Sequence, residues 1–222
     1  MFKPDGTAFY VAENSASFKR SVKFNMSTAW DISTASYGGN YEMNPYISNL
    51  YWIEFKSDGT EMYAADYSSG TIYQFSLSTA WDVTTSTYTA NYNVPNNFNL
   101  SCFTFNADGT KLYAYEYSGG DVFQYSLSTA WDITTASSDS IGKSLDMGSY
   151  STPSTFDLDF TSGNMVAMRS EHILPWTGFV STTTTYNTTP VWVNSTTNDE
   201  FYALQDALGA QACNRMDKTQ LA

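Results

Sequence analysis

Three acidic side chains recur at one position of a repeated sequence pattern. Glu13, Asp66 and Glu116 each lie six residues after the threonine of an Asp-Gly-Thr triplet, and Tyr67 and Tyr117 follow two of them directly. Carboxylates accept hydrogen bonds from hydroxyl groups or bind a cation, and aromatic rings stack on apolar ligand surfaces. These five residues therefore form the candidate binding site for a polar ligand, with Ca²⁺ as a candidate ion. A solvated acidic rim is the alternative interpretation.

Candidates for catalysis are few. The chain contains one histidine, His172, and its two cysteines, Cys102 and Cys213, lie too far apart in sequence for a metal-binding or disulfide pattern. Asp157 and Asp159 form an i, i+2 pair on one face of a predicted strand. A hydrolase usually needs such an acid and base pair, or a metal with several ligands. The residues favour a non-enzymatic protein without catalytic, metal or cofactor site, and a hydrolase is the alternative.

An internal repeat of about 50 residues sets the positions of the recurring acids. The Asp-Gly-Thr triplets begin at Asp5, Asp58 and Asp108, and Ser-Thr-Ala-Trp-Asp blocks begin at Ser27, Ser78 and Ser128. A weaker fourth copy at 160–167 has lost both blocks. Aspartate in such turns bonds its own backbone, and a tryptophan at one position of every repeat indicates packing between copies.

Each complete copy contains four strand signals, called a to d in chain order. In the second copy they are Tyr51–Phe55, Glu61–Ala64, Thr71–Phe75 and Asn91–Val94. A four-stranded antiparallel unit cannot bury both faces alone, whereas radial stacking of such units does. The sequence therefore predicts an all-β protein, a β-propeller or propeller fragment of about four four-stranded antiparallel blades. A β-sandwich is the rival fold, but it gives no reason for a strict period.

The repeat also predicts the domain boundaries. Residues 1–195 form the propeller repeats, at about 1–45, 46–96, 97–150 and 151–195, and residues 196–222 form a C-terminal helical tail. Within the tail, Phe201, Leu204 and Leu208 form an apolar stripe at helical spacing. A short helix is expected from about Asp199 to about Ala212.

Composition excludes several classes of partner. The net charge is −12, so binding to nucleic acid or to an anionic membrane surface is not expected. No apolar run reaches the roughly 18 residues that cross a membrane. Hydrophobic residues make up 42 % of the chain and aromatic residues 17 %, which suits a folded protein rich in sheet.

Two motifs carry a resemblance to known proteins. The block Phe2–Val11 resembles hairpins of the Tyr-Val-Thr-Asn and TolB-like propeller families. The longer string Tyr73–Thr85, together with the Asp-Gly-Thr hairpin, is similar to a repeat of uncharacterised bacteriophage and marine-virus proteins, some of them tail-fibre or virion-associated. The resemblance implies a propeller located in a virion or at an extracellular surface, and it transfers no catalytic residues.

The expected function is a binding or structural module of a phage tail fibre or a similar appendage. Strand direction alternates, so the b–c and d–a connections share one face, which is expected to recognise a glycan or a neighbouring virion protein. The alternative is a lactonase-like or glycan-cleaving propeller hydrolase with its site on the central strands. The first copy shows only Phe2 of its first strand, and an open sheet edge predicts a homo-oligomer.

Overall fold

The protein is all-β in its described part. The computed structural model describes residues 1–95, 99–118 and 120–144, and the strands at 155–159, 164–169 and 172–176. The chain divides into two compact units, one of residues 1–116 and 123–141 and the other of residues 117–122 and 142–222. The expected C-terminal helix lies outside the described residues.

Four antiparallel sheets follow one another along the chain, and we call them blades 1 to 4. Blade 1 contains β1 (Ala8–Asn14), β2 (Lys19–Met26) and β3 (Ala35–Glu42). Blade 2 contains β4 (Leu50–Phe55), β5 (Glu61–Asp66), β6 (Thr71–Leu77) and β7 (Ser86–Asn93). Blade 3 contains β8 (Leu100–Phe105), β9 (Lys111–Glu116), β10 (Asp121–Leu127) and β11 (Ala136–Ser144). Blade 4 contains β12 (Thr155–Asp159), β13 (Asn164–Arg169) and β14 (His172–Trp176).

The sheets confirm the predicted propeller architecture, with two differences in detail. Blades 2 and 3 have the four expected strands, whereas blades 1 and 4 have three strands each among the described residues. In blade 1, Phe2 forms an isolated bridge to Phe9, at the position that strand a occupies in blade 2. Strand d of blade 2 begins at Ser86 rather than at the predicted Asn91, because its Ser/Thr-rich start continues the ladder with β6.

The two repeated blocks lie against each other within a blade. Gly59 has a φ of 75° and its carbonyl accepts a hydrogen bond from the Trp81 amide at 2.9 Å. The Asp58 carboxylate accepts hydrogen bonds from the amide and hydroxyl of Thr60 at 2.9 and 2.6 Å. The Asp-Gly-Thr triplet is therefore a self-bonded turn, as predicted, and its glycine also makes room for the tryptophan of the same blade.

A short 3₁₀ helix follows each tryptophan, at Ile32–Thr34, Val83–Thr85 and Ile133–Thr135. In blade 2 the Asp82 carboxylate caps this helix by accepting a hydrogen bond from the Thr84 amide at 3.1 Å. Capping of an otherwise unpaired amide explains why aspartate ends the repeated block.

Successive blades pack through the tryptophan segment of the later blade. The Tyr10 hydroxyl of blade 1 donates to the Trp81 carbonyl of blade 2 at 2.7 Å. The Tyr63 hydroxyl of blade 2 donates to the Trp131 carbonyl of blade 3 at 2.6 Å. Apolar clusters surround both contacts, so the core of the first unit lies between the blades. Trp81 and Trp131 thus pack between blades, as the repeat predicts, whereas Trp30 of blade 1 is 62 % exposed.

Candidate functional site

The b–c turns and the d–a connections meet on one face, as the strand directions require. The side-chain amide of Asn14, at the end of β1, donates a hydrogen bond to the side-chain oxygen of Asn49 at 2.7 Å. The backbone amide of Tyr67, after β5, donates to the backbone carbonyl of Asn49 at 2.9 Å. Asn49 thus joins the b–c turns of blades 1 and 2, and we call the surface around it the Asn49 face.

Asp66, one of the predicted site residues, is committed to structural hydrogen bonds. Its carboxylate accepts the amide and hydroxyl of Ser48 at 2.9 and 3.0 Å, and those of Ser68 at 3.0 and 2.9 Å. Burial by itself raises the Asp66 pKa, but the hydrogen bonds outweigh it and hold the pKa below its ordinary value. The Asp66 carboxylate is therefore already stabilised within the protein, and its hydrogen bonds link the d–a connection, through Ser48, to the b–c turn, through Ser68.

Glu13 is also engaged within the protein. Its carboxylate forms an ion pair with the Arg20 guanidinium at 2.7 Å, and Arg20 lies over the ring of Phe18 at 4.4 Å. Both charged side chains remain partly exposed. Glu13 is therefore part of a partly exposed ion pair with Arg20 rather than a lone carboxylate.

The third copy contributes Glu116 and Tyr117 to the predicted set. Glu116 ends β9 and is half-buried, and Tyr117 follows it with 40 % of its surface exposed. The described residues contain no group of three or more His, Cys, Asp or Glu side chains placed to hold a metal ion. The repeated acids therefore do not assemble into a cation site in this part of the chain, and Ca²⁺ binding stays a prediction.

A pair of stacked tyrosines is an exposed aromatic feature of the Asn49 face. The rings of Tyr51 and Tyr67 lie 4.4 Å apart with an interplanar angle of 26°. Tyr51 is 48 % exposed and Tyr67 is half-buried. One predicted site residue, Tyr67, is thus part of a platform whose other member the sequence did not indicate.

Tyr51 could not be identified as a site residue from the sequence because it lies at a β-bulge. By two-residue alternation Tyr51 shares a face with Ile53 and Phe55, which are both buried. The β4–β5 register shifts between Leu50 and Trp52, however, so the alternation does not extend to Tyr51, which is exposed. A signal exists only in comparison between copies, since blade 3 has the small and buried Ser101 at the aligned position.

The aromatic residue of the first d–a connection has a packing role. Tyr46 stacks on Tyr88 with ring centroids 4.5 Å apart and also contacts Phe75 edge-on. Its counterparts in the later connections, Phe98 and Tyr150, lie outside the described residues. The mixture of acids and aromatics predicted for this face is therefore present around Tyr67, while Tyr46 joins the blade 1–blade 2 contact.

The acid pair of the alternative hydrolase interpretation lies in the second unit. Asp157 and Asp159 are on β12, opposite Val166 and Asn164 of β13 in the antiparallel register.

Within the described part of the chain, no helix is long and apolar enough to span a bilayer.

The chain is similar in structure to proteins with propeller folds. It matches a provisionally assigned 6-phosphogluconolactonase of Bacteroides uniformis with a TM-score of 0.55 and 15 % identity, over 80 % of this chain and 49 % of that one. A periplasmic gluconolactonase of Pseudomonas aeruginosa matches with a TM-score of 0.52 and 13 % identity, over 80 % of this chain and 48 % of that one. The β-propeller domain of Cps50 (Swd1) from Myceliophteria thermophila matches with a TM-score of 0.50 and 9 % identity, over 81 % and 55 %.

These similarities concern the fold. No family model and no curated protein matches the sequence. The chain spans about half the length of the solved structures described above. Together with the stacked four-stranded sheets, the matches identify the fold as a β-propeller.

Proposed function

We propose that this chain is a non-enzymatic propeller module that binds a neutral glycan on the Asn49 face. The observation that carries the proposal is the exposed Tyr51–Tyr67 stack beside hydrogen-bonding amides. Aromatic rings stack on the C–H surface of a sugar ring, and they bury a large area at low cost in conformational entropy. Asn14 is exposed, and its side-chain amide binds Asn49, whose backbone carbonyl accepts the Tyr67 amide, so Asn14 offers hydrogen bonds to sugar hydroxyls on the same face.

Electrostatics favour a neutral ligand over an acidic one. Several cations of the first unit are neutralised by acids: Arg20 by Glu13, Lys3 by Asp5, Lys56 by Asp58 and Lys111 by Asp139. The whole chain carries a net charge of −12. A sialylated, sulfated or phosphorylated glycan would meet the repulsive field of this charge, and Arg20, beside the b–c turn of blade 1, is already paired with Glu13. Neutral hexose or N-acetylhexosamine units are the class that fits.

The repeat supports a biological context for such a module. The string Tyr73–Thr85 is similar to repeats of bacteriophage and marine-virus proteins. Recognition of a neutral cell-surface glycan suits a tail fibre or another extracellular appendage, and we propose this location for the chain.

Binding to a glycan array, followed by calorimetry with the best neutral oligosaccharide, tests the proposal. Tyr51→Ala and Tyr67→Ala should each weaken binding by about tenfold, which corresponds to ~1.4 kcal/mol of lost stacking. Thr87→Ala is the control, because Thr87 is exposed on β7, at the opposite edge of blade 2 from Tyr51. Failure to bind any neutral glycan, or equal affinity of all three variants, would overturn the proposal.

A lactonase activity is the second candidate, because two of the similar structures bear lactonase names. Arg20, Lys56 and Lys111 are each paired with an acid, which disfavours binding of a phosphorylated lactone through these three side chains. A direct assay with 6-phosphogluconolactone and gluconolactone decides between the candidates. Hydrolysis that Asp157→Asn and Asp159→Asn abolish, without loss of folding, would favour the enzyme over the glycan-binding module.

A further inference from the structure

One side of blade 1 carries a continuous row of aromatic rings. The four cross-strand neighbours Phe2, Phe9, Phe24 and Tyr37 follow one another across the sheet in the register of the bridge and ladders. Their successive centroids lie 5.7, 5.0 and 6.5 Å apart, and Trp30 extends the row from Phe2 at 5.7 Å. We call these five residues and the adjacent Ile32 the aromatic row.

The same row exists in blade 2, where it is buried. Its cross-strand members are Phe55, Met62, Phe75 and Tyr88, and Trp81 packs on Phe55 with centroids 5.5 Å apart. Phe55, Met62 and Phe75 are almost entirely inaccessible to solvent. The row of a blade is therefore an internal surface of the repeat and not a solvent-facing one.

Corresponding residues at the ends of the rows show the contrast most clearly. Ile32 of blade 1 is 65 % exposed, whereas Val83 and Ile133 at the same position of blades 2 and 3 are both 0 % exposed. Trp30 is 62 % exposed, and Trp81 and Trp131 are half-buried. A contiguous exposed apolar surface of this kind indicates a contact site.

The side chains that cover the row of blade 2 show which kinds of residue pack against such a row. Tyr10 of blade 1 lies over Phe55 at 4.5 Å, and Tyr41 contacts Phe75 edge-on at 5.4 Å. Met43 and Ala8 complete the apolar cover of this interface. The row of blade 2 is thus covered by aromatic and aliphatic side chains from the opposite face of the neighbouring blade, which shows that such a row packs against apolar, ring-rich surfaces.

We propose that the aromatic row of blade 1 is the interface between two copies of this chain, paired row to row about a two-fold axis. Two-fold pairing is isologous, so one self-complementary patch is sufficient on each copy. Interdigitated rings from two rows would bury Trp30, Ile32 and Tyr37, which blade 1 leaves exposed. The interface is separate from the Asn49 face and does not depend on glycan binding.

Charge distribution favours a second copy as the occupant. Residues 1–45, which contain blade 1, hold four basic and four acidic side chains, whereas residues 46–222 hold six basic and eighteen acidic ones. Two copies of a strongly acidic chain repel each other over most of their surfaces. Blade 1 is the part where close approach adds no net repulsion, and it is also the part with the exposed row.

Sedimentation equilibrium of the full chain at several concentrations tests this interface. The wild-type chain should sediment as a dimer, and Ile32→Asp should raise the dimer dissociation constant by at least about tenfold, because it places one charge from each copy within the apolar contact. Thr87→Asp is the matched control, since it adds the same charge to an exposed position of β7 and should leave the dimer intact. Thermal melting of each variant checks that the fold is retained.

Tyr37→Lys provides a second variant at the other end of the row and should also favour the monomer. A wild-type chain that stays monomeric at all concentrations would overturn the proposal, and would mean that a different partner or segment covers the row. A dimer that persists in both Ile32→Asp and Tyr37→Lys would equally overturn it, because the contact would then lie elsewhere.

Discussion

The indole ring of Trp81 lies directly on the α-carbon of Gly59. A β-carbon built on Gly59 would stand 2.4 Å from Cδ1, Cε2 and Nε1 of Trp81, far inside van der Waals contact. Trp81 itself has a φ of 65°, a conformation that a bulky residue rarely adopts. The two blocks of the repeat are therefore one structural unit, in which the glycine of the hairpin makes room for the tryptophan that follows strand c.

Replacement of Gly59 should be more costly than replacement of an ordinary turn glycine. Gly59→Ala combines a positive φ with a collision against Trp81, and we expect it to lower the free energy of unfolding by about 2–4 kcal/mol. Gly70→Ala is the control, because Gly70 also has a positive φ, 63°, but lies at the opposite end of β5 and β6. Denaturant titration that gave equal losses for both variants would contradict a steric role for Trp81.

Much of the fold could be predicted from the sequence because two local signals, two-residue alternation and Asp-Gly turns, recur together in each repeat. Two-residue alternation places Ile53 and Phe55 on one face of β4, where both are buried, and the Asp-Gly pairs mark the turns. The blade-to-blade contact was only partly predictable. The recurrence of Trp81 indicated packing, but its left-handed backbone and its position on Gly59 arise from tertiary contacts that no local pattern contains.

The site was harder to predict for a related reason. The register of the repeated acids was read correctly, but a sequence does not show that Ser48 and Ser68 saturate the Asp66 carboxylate, since Ser48 is eighteen positions away along the chain. Tyr51 was missed because a bulge, unlike a turn, has no residue signature in β4.

Acid should destabilise the protein partly through Asp66. Its pKa is lower in the folded chain than in an unfolded one, so its stabilising contribution is present above about pH 4 and is lost as the pH falls through the folded pKa. We expect Asp66→Asn to reduce the loss of unfolding free energy between about pH 6 and about pH 3. The same loss in Asp66→Asn as in wild type would refute this role.

The hydroxyl of Tyr63 should contribute to the junction of blades 2 and 3. It donates to the Trp131 carbonyl at 2.6 Å from a fully buried ring. Tyr63→Phe keeps the packing and removes this hydrogen bond, so we expect a loss of about 0.5–1.5 kcal/mol in the free energy of unfolding. Tyr88→Phe is the control, because the Tyr88 hydroxyl donates to Asn91 at an exposed position and its removal should be nearly neutral. Chemical denaturation of both variants measures the difference.

Gln74 should be energetically coupled to Tyr63, because both side chains donate to the carbonyl of Trp131. The Gln74 amide donates to that carbonyl at 3.1 Å, and its oxygen accepts the buried Ile133 amide at 3.2 Å. Gln74→Met should therefore cost about 1–3 kcal/mol on its own, since it leaves the Ile133 amide without its acceptor. With Tyr63→Phe added, the carbonyl loses both donors. We expect the double variant to lose more unfolding free energy than the two single variants together, by at least about 0.5 kcal/mol. Strict additivity in this double-mutant cycle would mean that solvent replaces the lost donors and that the carbonyl is not sealed between the blades.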